Sequence, residues 1–310
     1  MKQLVSDSKE TSSHIKGTPA FLAPEIYLKK EYSKASDVYA FAFLLYELLM
    51  EELPFDTKCG PKEIKRKIIK EKYRPPLNQD LPECYKKLIE RCWSENPEER
   101  PTFEDILYEL RTKEEFITEN INRDEFYEYI NFIDKYPITF NTDQRIDILD
   151  DIIKLKLHTF ENIIFSHNTF IYRTEMNDVN LNYISFDYHD IRQKEKETKN
   201  MYTILSFPIT RFISLGKSEF LKQDVLNFTR EINIILQLNH PSVIKCIKYT
   251  SMDFINNCGP TLFLENTSPL GPLNKIIHTS SDLWSSTKKL INIFGIAAGM
   301  SYLHANNIIH

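Results

Sequence analysis

Residues 17–25 read Gly17-Thr18-Pro19-Ala20-Phe21-Leu22-Ala23-Pro24-Glu25, and shortly after them Ser36-Asp37-Val38-Tyr39 leads into the longest apolar run of the chain, VYAFAFLLYELLM at 38–50. The first stretch is turn-prone. The second carries Glu47 and is too short to span a bilayer, so it predicts a buried core helix over 36–50. Working outward, residues 1–16 are polar and rich in Ser and Thr and read as a surface loop. On the other side, Pro54, Gly60, Pro61, Pro75 and Pro76 punctuate the chain around a short helix, KEIKRKIIKEK. Between 82 and 93, Tyr85, Leu88, Ile89, Cys92 and Trp93 recur at helical spacing and give one apolar face. After NPEERP, Thr102 and Asp105 form a capping box for a helix carrying Phe103, Ile106, Leu107 and Leu110.

The composition changes farther along. Residues 112–160 are charged, with aromatic residues at intervals, and read as a helical linker or accessory helical pair. From about 160 to 215 β-branched and aromatic residues rise, which predicts short strands. A helix with Val225, Phe228, Ile232 and Ile235 on one face follows, then TLFLE (261–265) as a buried strand and LINIFGIAAGMSYLH (290–304) as an apolar helix. The expected class is therefore α+β: helices in the N-terminal half, strands and further helices in the C-terminal half.

With 42% hydrophobic and 27% charged residues, the 310-residue chain has the balance of a globular protein. Its formal net charge of -5, with Lys and Arg spread along it, argues against a dedicated nucleic-acid binder. The five cysteines form no CxxC pair, so they suggest neither a disulfide framework nor a zinc site and are read as reduced, cytoplasmic thiols. The eight histidines show no metal-ligand spacing. No apolar signal core occupies the first residues, and no membrane segment is expected.

The N-terminal half resembles the second part of the large lobe (C-lobe) of a eukaryotic protein kinase. Ala23-Pro24-Glu25 matches the family's APE motif at the end of the activation segment, and Ser36-Asp37-Val38-Tyr39 resembles the start of its central buried helix. Arg91-Cys92-Trp93 followed by Asn96-Pro97-Glu98-Glu99-Arg100-Pro101-Thr102-Phe103 resembles its last signature and favours the tyrosine-kinase-like (TKL) group, while Gly17-Thr18 is the form usual in Ser/Thr kinases. The C-terminal half resembles the opposite end of the domain. Phe228-Thr229-Arg230-Glu231 with Leu238-Asn239-His240-Pro241 looks like the C helix and the loop after it. Leu262-Phe263-Leu264-Glu265-Asn266-Thr267 looks like the strand leading into the hinge, and Ile308-Ile309-His310 runs up to the catalytic loop, with His310 at the His of the HRD motif.

The resemblance implies three segments: 1–112 as a C-lobe portion, 113–160 as a helical linker, and 161–310 as an N-lobe, hinge and first C-lobe helices. It implies that Glu25 and Arg100 form a buried ion pair anchoring the activation segment, and that Thr18 faces a protein substrate. ATP and Mg are the family's cofactors. Glu231 falls at the ion-pairing glutamate, and the backbone at Glu265 and Thr267 would hold adenine. The partner lysine is open: one alignment puts Leu205 there, another Arg211. Asp37 is the residue that, in the family, holds the backbone of the catalytic loop, and here it is expected to have nothing to hold.

Phosphoryl transfer needs the HRD aspartate and the magnesium-binding DFG aspartate, and neither motif occurs in the 310 residues. None of the seven glycines lies between Gly60 and Gly216, where a glycine-rich phosphate loop would fall. No catalytic residue and no metal ligand is therefore assigned, and ATP binding is expected to be weak or absent. The leading expectation is an inactive junction piece, the large-lobe remnant of one kinase unit joined to the start of another. The alternative is a pseudokinase-like interaction module, its halves packed in permuted order, with the helices at 62–73 and 82–93 as docking surfaces. An active enzyme would need a magnesium-binding carboxylate that the sequence does not offer. Ser6, Ser8, Thr11, Ser12 and Ser13 are candidates for activation-loop phosphorylation, against the plainer reading of solvated loop serines.

Overall fold

A computed structural model describes residues 5–6, 15, 17–138, 171–175, 201–206, 234–250, 261–265, 273, 276–277 and 284–310. The chain divides into two compact units, Met1–Thr139 together with Leu270–His310, and Phe140–Pro269.

The first unit is helical. A single 3-10 turn at Pro19–Phe21 precedes α1 (Pro24–Lys29), which starts on a proline whose fixed φ suits the first helical position. The central helix α2 (Lys34–Met50) begins at a reciprocal cap: the Ser36 N–H donates to Ser33 Oγ at 3.3 Å, and the Ser33 N–H donates to Ser36 Oγ at 3.2 Å. Its apolar residues go all the way round, so it is buried on every side, with Tyr39, Ala42, Phe43 and Leu45 fully inside. It ends at Glu51, in the left-handed region at φ 56°. Helices α3 (Pro61–Lys70), α4 (Glu83–Cys92), α5 (Phe103–Thr112) and α6 (Arg123–Ile133) follow. The Thr102–Asp105 capping box is present as the sequence predicts, with the Asp105 N–H donating to Thr102 Oγ1 at 3.1 Å.

A further helix, α7 (Ser286–Ala305), comes from far along the chain yet completes this core, lying against α5, α6 and α2. The Phe294 ring is fully buried and meets Phe126 edge-on at 5.7 Å, with the Arg111 guanidinium 5.7 Å from its centre. A Cβ at Gly295 would run into the Tyr129 hydroxyl, so a glycine lets α6 and α7 approach. Polar ties close the seam: the Asn122 N–H donates to Thr287 Oγ1 at 2.8 Å, and Lys289 pairs with Glu51 at 2.7 Å. At the end of α7, Asn306 Nδ2 donates to Ile138 O at 2.8 Å, and Lys34 Nζ donates to Asn307 Oδ1 at 3.0 Å.

The expected loop over 1–16 is corrected at Val5–Ser6, which forms strand β1. It pairs antiparallel with β6 (Ile308–Ile309), Val5 opposite Ile309 and Ser6 opposite Ile308. Ile308 and Ile309 are buried directly after α7, and a strand there needs partners for its backbone groups. Ser8, Thr11, Ser12 and Ser13 lie outside the described residues.

In the second unit, β2 (Ile171–Glu175), β3 (Met201–Ser206), β4 (Cys246–Thr250) and β5 (Thr261–Glu265) form an antiparallel sheet in the order β2-β3-β5-β4. The predicted TLFLE strand is β5, and a register shift between Cys246 and Lys248 marks a bulge against it. Of the helix expected around 225–235, Ile235 falls in a helical stretch at 234–237, while Val225, Phe228 and Ile232 lie outside the described residues. In the loop before β4, the Ser242 N–H donates to His240 Nδ1 at 3.1 Å, and burial pushes the imidazole down to about 4.

Candidate functional site

Two buried polar clusters flank the N-terminal part of α2. The first joins the two ends of the 17–103 region. Arg100, whose side chain is fully buried, donates from Nη1 to Glu25 Oε1 at 2.7 Å and from Nη2 to Glu25 Oε2 at 3.0 Å. This is the bidentate fork expected of a guanidinium facing a carboxylate. Two further donors are used as well: Nε to Ser94 O at 2.9 Å and Nη1 to Ala35 O at 3.0 Å. Glu25 Oε1 also accepts from Ser36 Oγ at 3.0 Å. The Tyr39 ring lies 4.9 Å from the Arg100 guanidinium and 5.0 Å from that of Arg74, so two cations lie against one aromatic. Thr18 stands exposed beside Gly17, whose φ of 130° suits only glycine.

The second cluster gathers on Asp37. Its Oδ2 accepts the His310 backbone N–H at 2.8 Å and lies 3.0 Å from His304 Nε2. The His304 ring is itself buried edge-on against Phe103 at 5.1 Å. The expectation that Asp37 has nothing to hold is thus overturned, because α7 and the residues after it dock onto α2 within the same unit. His304 is assigned no role from the sequence alone. The available signal was a histidine closing an otherwise apolar helix, where a buried imidazole needs a partner.

Two of the nucleotide-side positions fall among the described residues. Glu265 ends β5 with its Cα opposite Tyr202, and Leu205 lies in β3 opposite Leu262. Arg211, Glu231 and Thr267 lie outside the described residues. Magnesium requires several oxygen ligands, usually including carboxylates. Among the described residues no group of three or more His, Cys, Asp or Glu could hold a metal ion. The Asp37 carboxylate beside His310 is already engaged through Oδ2 by two donors. The described residues therefore do not fit a magnesium site. A cleft of about 420 Å³ beside α4 is lined by Cys84, Lys87, Arg91 and Glu109 among others, but its Arg91–Glu109 fork is already closed at 2.7 Å. Among the described residues no helix is long and apolar enough to cross a membrane.

Comparison with known proteins identifies the family. Residues 1–110 and 213–310 match the family described as protein tyrosine and serine/threonine kinase. The dual specificity protein kinase shkC of Dictyostelium discoideum is 36% identical over 110 residues, covering 36% of this chain and 22% of that kinase. Its shkA counterpart is 32% identical over 126 residues, covering 41% and 23%. Human mitogen-activated protein kinase kinase kinase 7 is 36% identical over 92 residues, covering 30% and 15%. The matched region thus spans less than a quarter of each of these relatives. They agree with the tyrosine-kinase-like reading of Arg91-Cys92-Trp93. With two matching stretches that take in most of its length, this chain belongs to the protein kinase family.

Proposed function

We propose that this protein uses a kinase large-lobe frame for protein interaction in signalling and does not transfer phosphate by itself. The observation that carries the reading is the Asp37 cluster. The frame closes around Asp37, His304 and the His310 backbone, while the 310 residues encode neither the HRD nor the DFG carboxylate. ATP and Mg are the family's cofactors. Glu231, Arg211 and the backbone at Glu265 and Thr267 are the positions that would meet the nucleotide, and Thr18 the one that would meet an acceptor protein. Without an HRD or DFG aspartate among them, these 310 residues by themselves would leave bound nucleotide intact. The free cysteines among the described residues suit a reducing cytoplasm.

The test uses the purified chain with radiolabelled ATP, magnesium and a generic protein substrate. No incorporation is expected, and transfer that disappears in Glu231→Ala would overturn the reading. Thermal denaturation with and without Mg-ATP gives a second measure, with no shift expected, since a bound ligand stabilises the fold that binds it.

The order of the two stretches also fits a junction between two kinase units, which sequencing the transcript on both sides would reveal. The burial of Phe294 in the core formed with residues 1–139 favours a second reading, that the two stretches build one permuted lobe. Limited proteolysis separates the two. A protected core containing both 17–138 and 284–310 supports the permuted lobe, and independent release of 284–310 opposes it.

A further inference from the structure

The charge of the chain is unevenly placed. Its formal net charge is -5, yet residues 58–74 hold eight Lys or Arg against two Glu. Helix α3 sorts these by face. Ile68 is buried and Ile64 half-buried on the inner side, while Lys62, Lys65, Arg66 and Lys70 are exposed at helical spacings of three and four. Arg66 is paired with Glu71, and Glu63 lies 4.0 Å from Lys67. Lys62, Lys65 and Lys70 have no carboxylate partner among the described residues. Lys65 lies 5.4 Å from the centre of the Tyr27 ring, which joins α3 to α1, and the last turn of α1 exposes Leu28 and Lys29.

We propose that the outer face of α3, extended by the end of α1, is a docking site for an acidic protein segment. This rests on the interaction-module reading and names the chemistry of its partner. Charge complementarity argues for the occupant. Lys62 and Lys70 stand about 12 Å apart along the helix, at ~1.5 Å per residue, with Lys65 between them. An extended segment with acidic residues at alternate positions presents a carboxylate every ~6.7 Å on one side, close to that spacing. A membrane surface fits less well, because the apolar side of α3 faces the core and leaves little to insert between lipids. A nucleic acid also fits less well, since the patch is short and the chain's pI is about 6.0.

The test is fluorescence anisotropy of a labelled peptide of alternating Glu and Gly, titrated with the full chain. Binding is expected to weaken at least tenfold in the triple variant Lys62→Glu/Lys65→Glu/Lys70→Glu. The same weakening is expected when salt rises to where the screening length falls to about 3 Å. The milder pair Lys62→Ala/Lys70→Ala guards against misfolding of the triple variant and should weaken binding about threefold. Lys87→Glu on α4 should leave it unchanged. Equal binding by wild type and the charge-reversed chain would overturn the proposal, as would tighter binding to phosphatidylserine vesicles or single-stranded RNA than to the peptide. None of these readouts involves nucleotide, so the proposal can fail while the phosphate-transfer reading stands.

Discussion

Two arginine–glutamate forks of nearly the same geometry occur in the helical unit. Arg100–Glu25 and Arg91–Glu109 are both bidentate, with closest approaches of 2.7 Å in each. They differ in surroundings. The carboxylates are alike, Glu25 11% and Glu109 12% exposed, but the Arg100 side chain is 0% exposed and that of Arg91 42%. In the first, a deletion strands its partner away from water and without a second charge; in the second, Arg91 already faces water and Glu109 keeps Lys113 at 3.0 Å, so the loss is small. Geometry alone therefore says little about worth, and the fork that joins Glu25 to Arg100 is the one whose guanidinium is sealed from solvent.

The largest break in this comparison comes from Arg100→Ala, which leaves Glu25 charged and unpaired. A loss of about 3–5 kcal/mol is expected, read from the urea midpoint of the purified chain. Asp37→Asn comes next. The amide can no longer accept from both His304 and the His310 N–H while keeping its own donors satisfied, and about 1–3 kcal/mol should go, by the same measurement. Hydrogen exchange should report faster opening at 304–310, and unchanged exchange there would refute the role given to Asp37.

Thr102→Ala removes the cap of α5 at a cost of about 0.5–2 kcal/mol. The Thr102 hydroxyl, followed by its backbone N–H, holds the Asp105 carboxyl below its ordinary range. A depressed acid stabilises the fold above its unfolded pKa, and that contribution fades as pH falls through the lower folded value. The difference between Thr102→Ala and wild type should therefore be full at neutral pH and shrink in acid. Smallest is Arg91→Ala, at about 0.2–1 kcal/mol. Burial tends to raise the Glu109 carboxyl, but hydrogen bonds from Arg91 and Lys113 outweigh it and hold the group low. The Arg91–Glu109 coupling in a double-mutant cycle should likewise vanish as pH falls below the carboxylate range. A coupling as large as that of Arg100–Glu25 would remove the distinction drawn between the two forks.

The Glu25–Arg100 pair was legible because both residues belong to signatures whose chemistry is complementary. The helices α2, α4 and α5 were legible from apolar spacing and from caps such as Thr102–Asp105. The docking of α7 was not. Periodicity shows that Leu290, Ile293 and Phe294 need cover, but not which surface supplies it. The cover comes from residues such as Phe126 and Tyr129, remote in the chain. The Asp37–His304 contact joins residues 267 apart, a distance over which local pattern carries no information. Strand β1 escaped for a related reason: Val5–Ser6 is too short to show alternation and exists because Ile308–Ile309 offers it a ladder.

The late arrival of α7 also sets a schedule for synthesis. Residues 17–138 leave the ribosome well before 286–305, and at ~5–20 residues per second the interval is about 8–30 seconds. Throughout that time the side of α5 and α6 destined for Phe294 stands open to water, a sticky surface inviting chaperones or neighbouring nascent chains. Closing it then joins strands some three hundred positions apart, so the final step should be slow and governed by chain search rather than by helix formation.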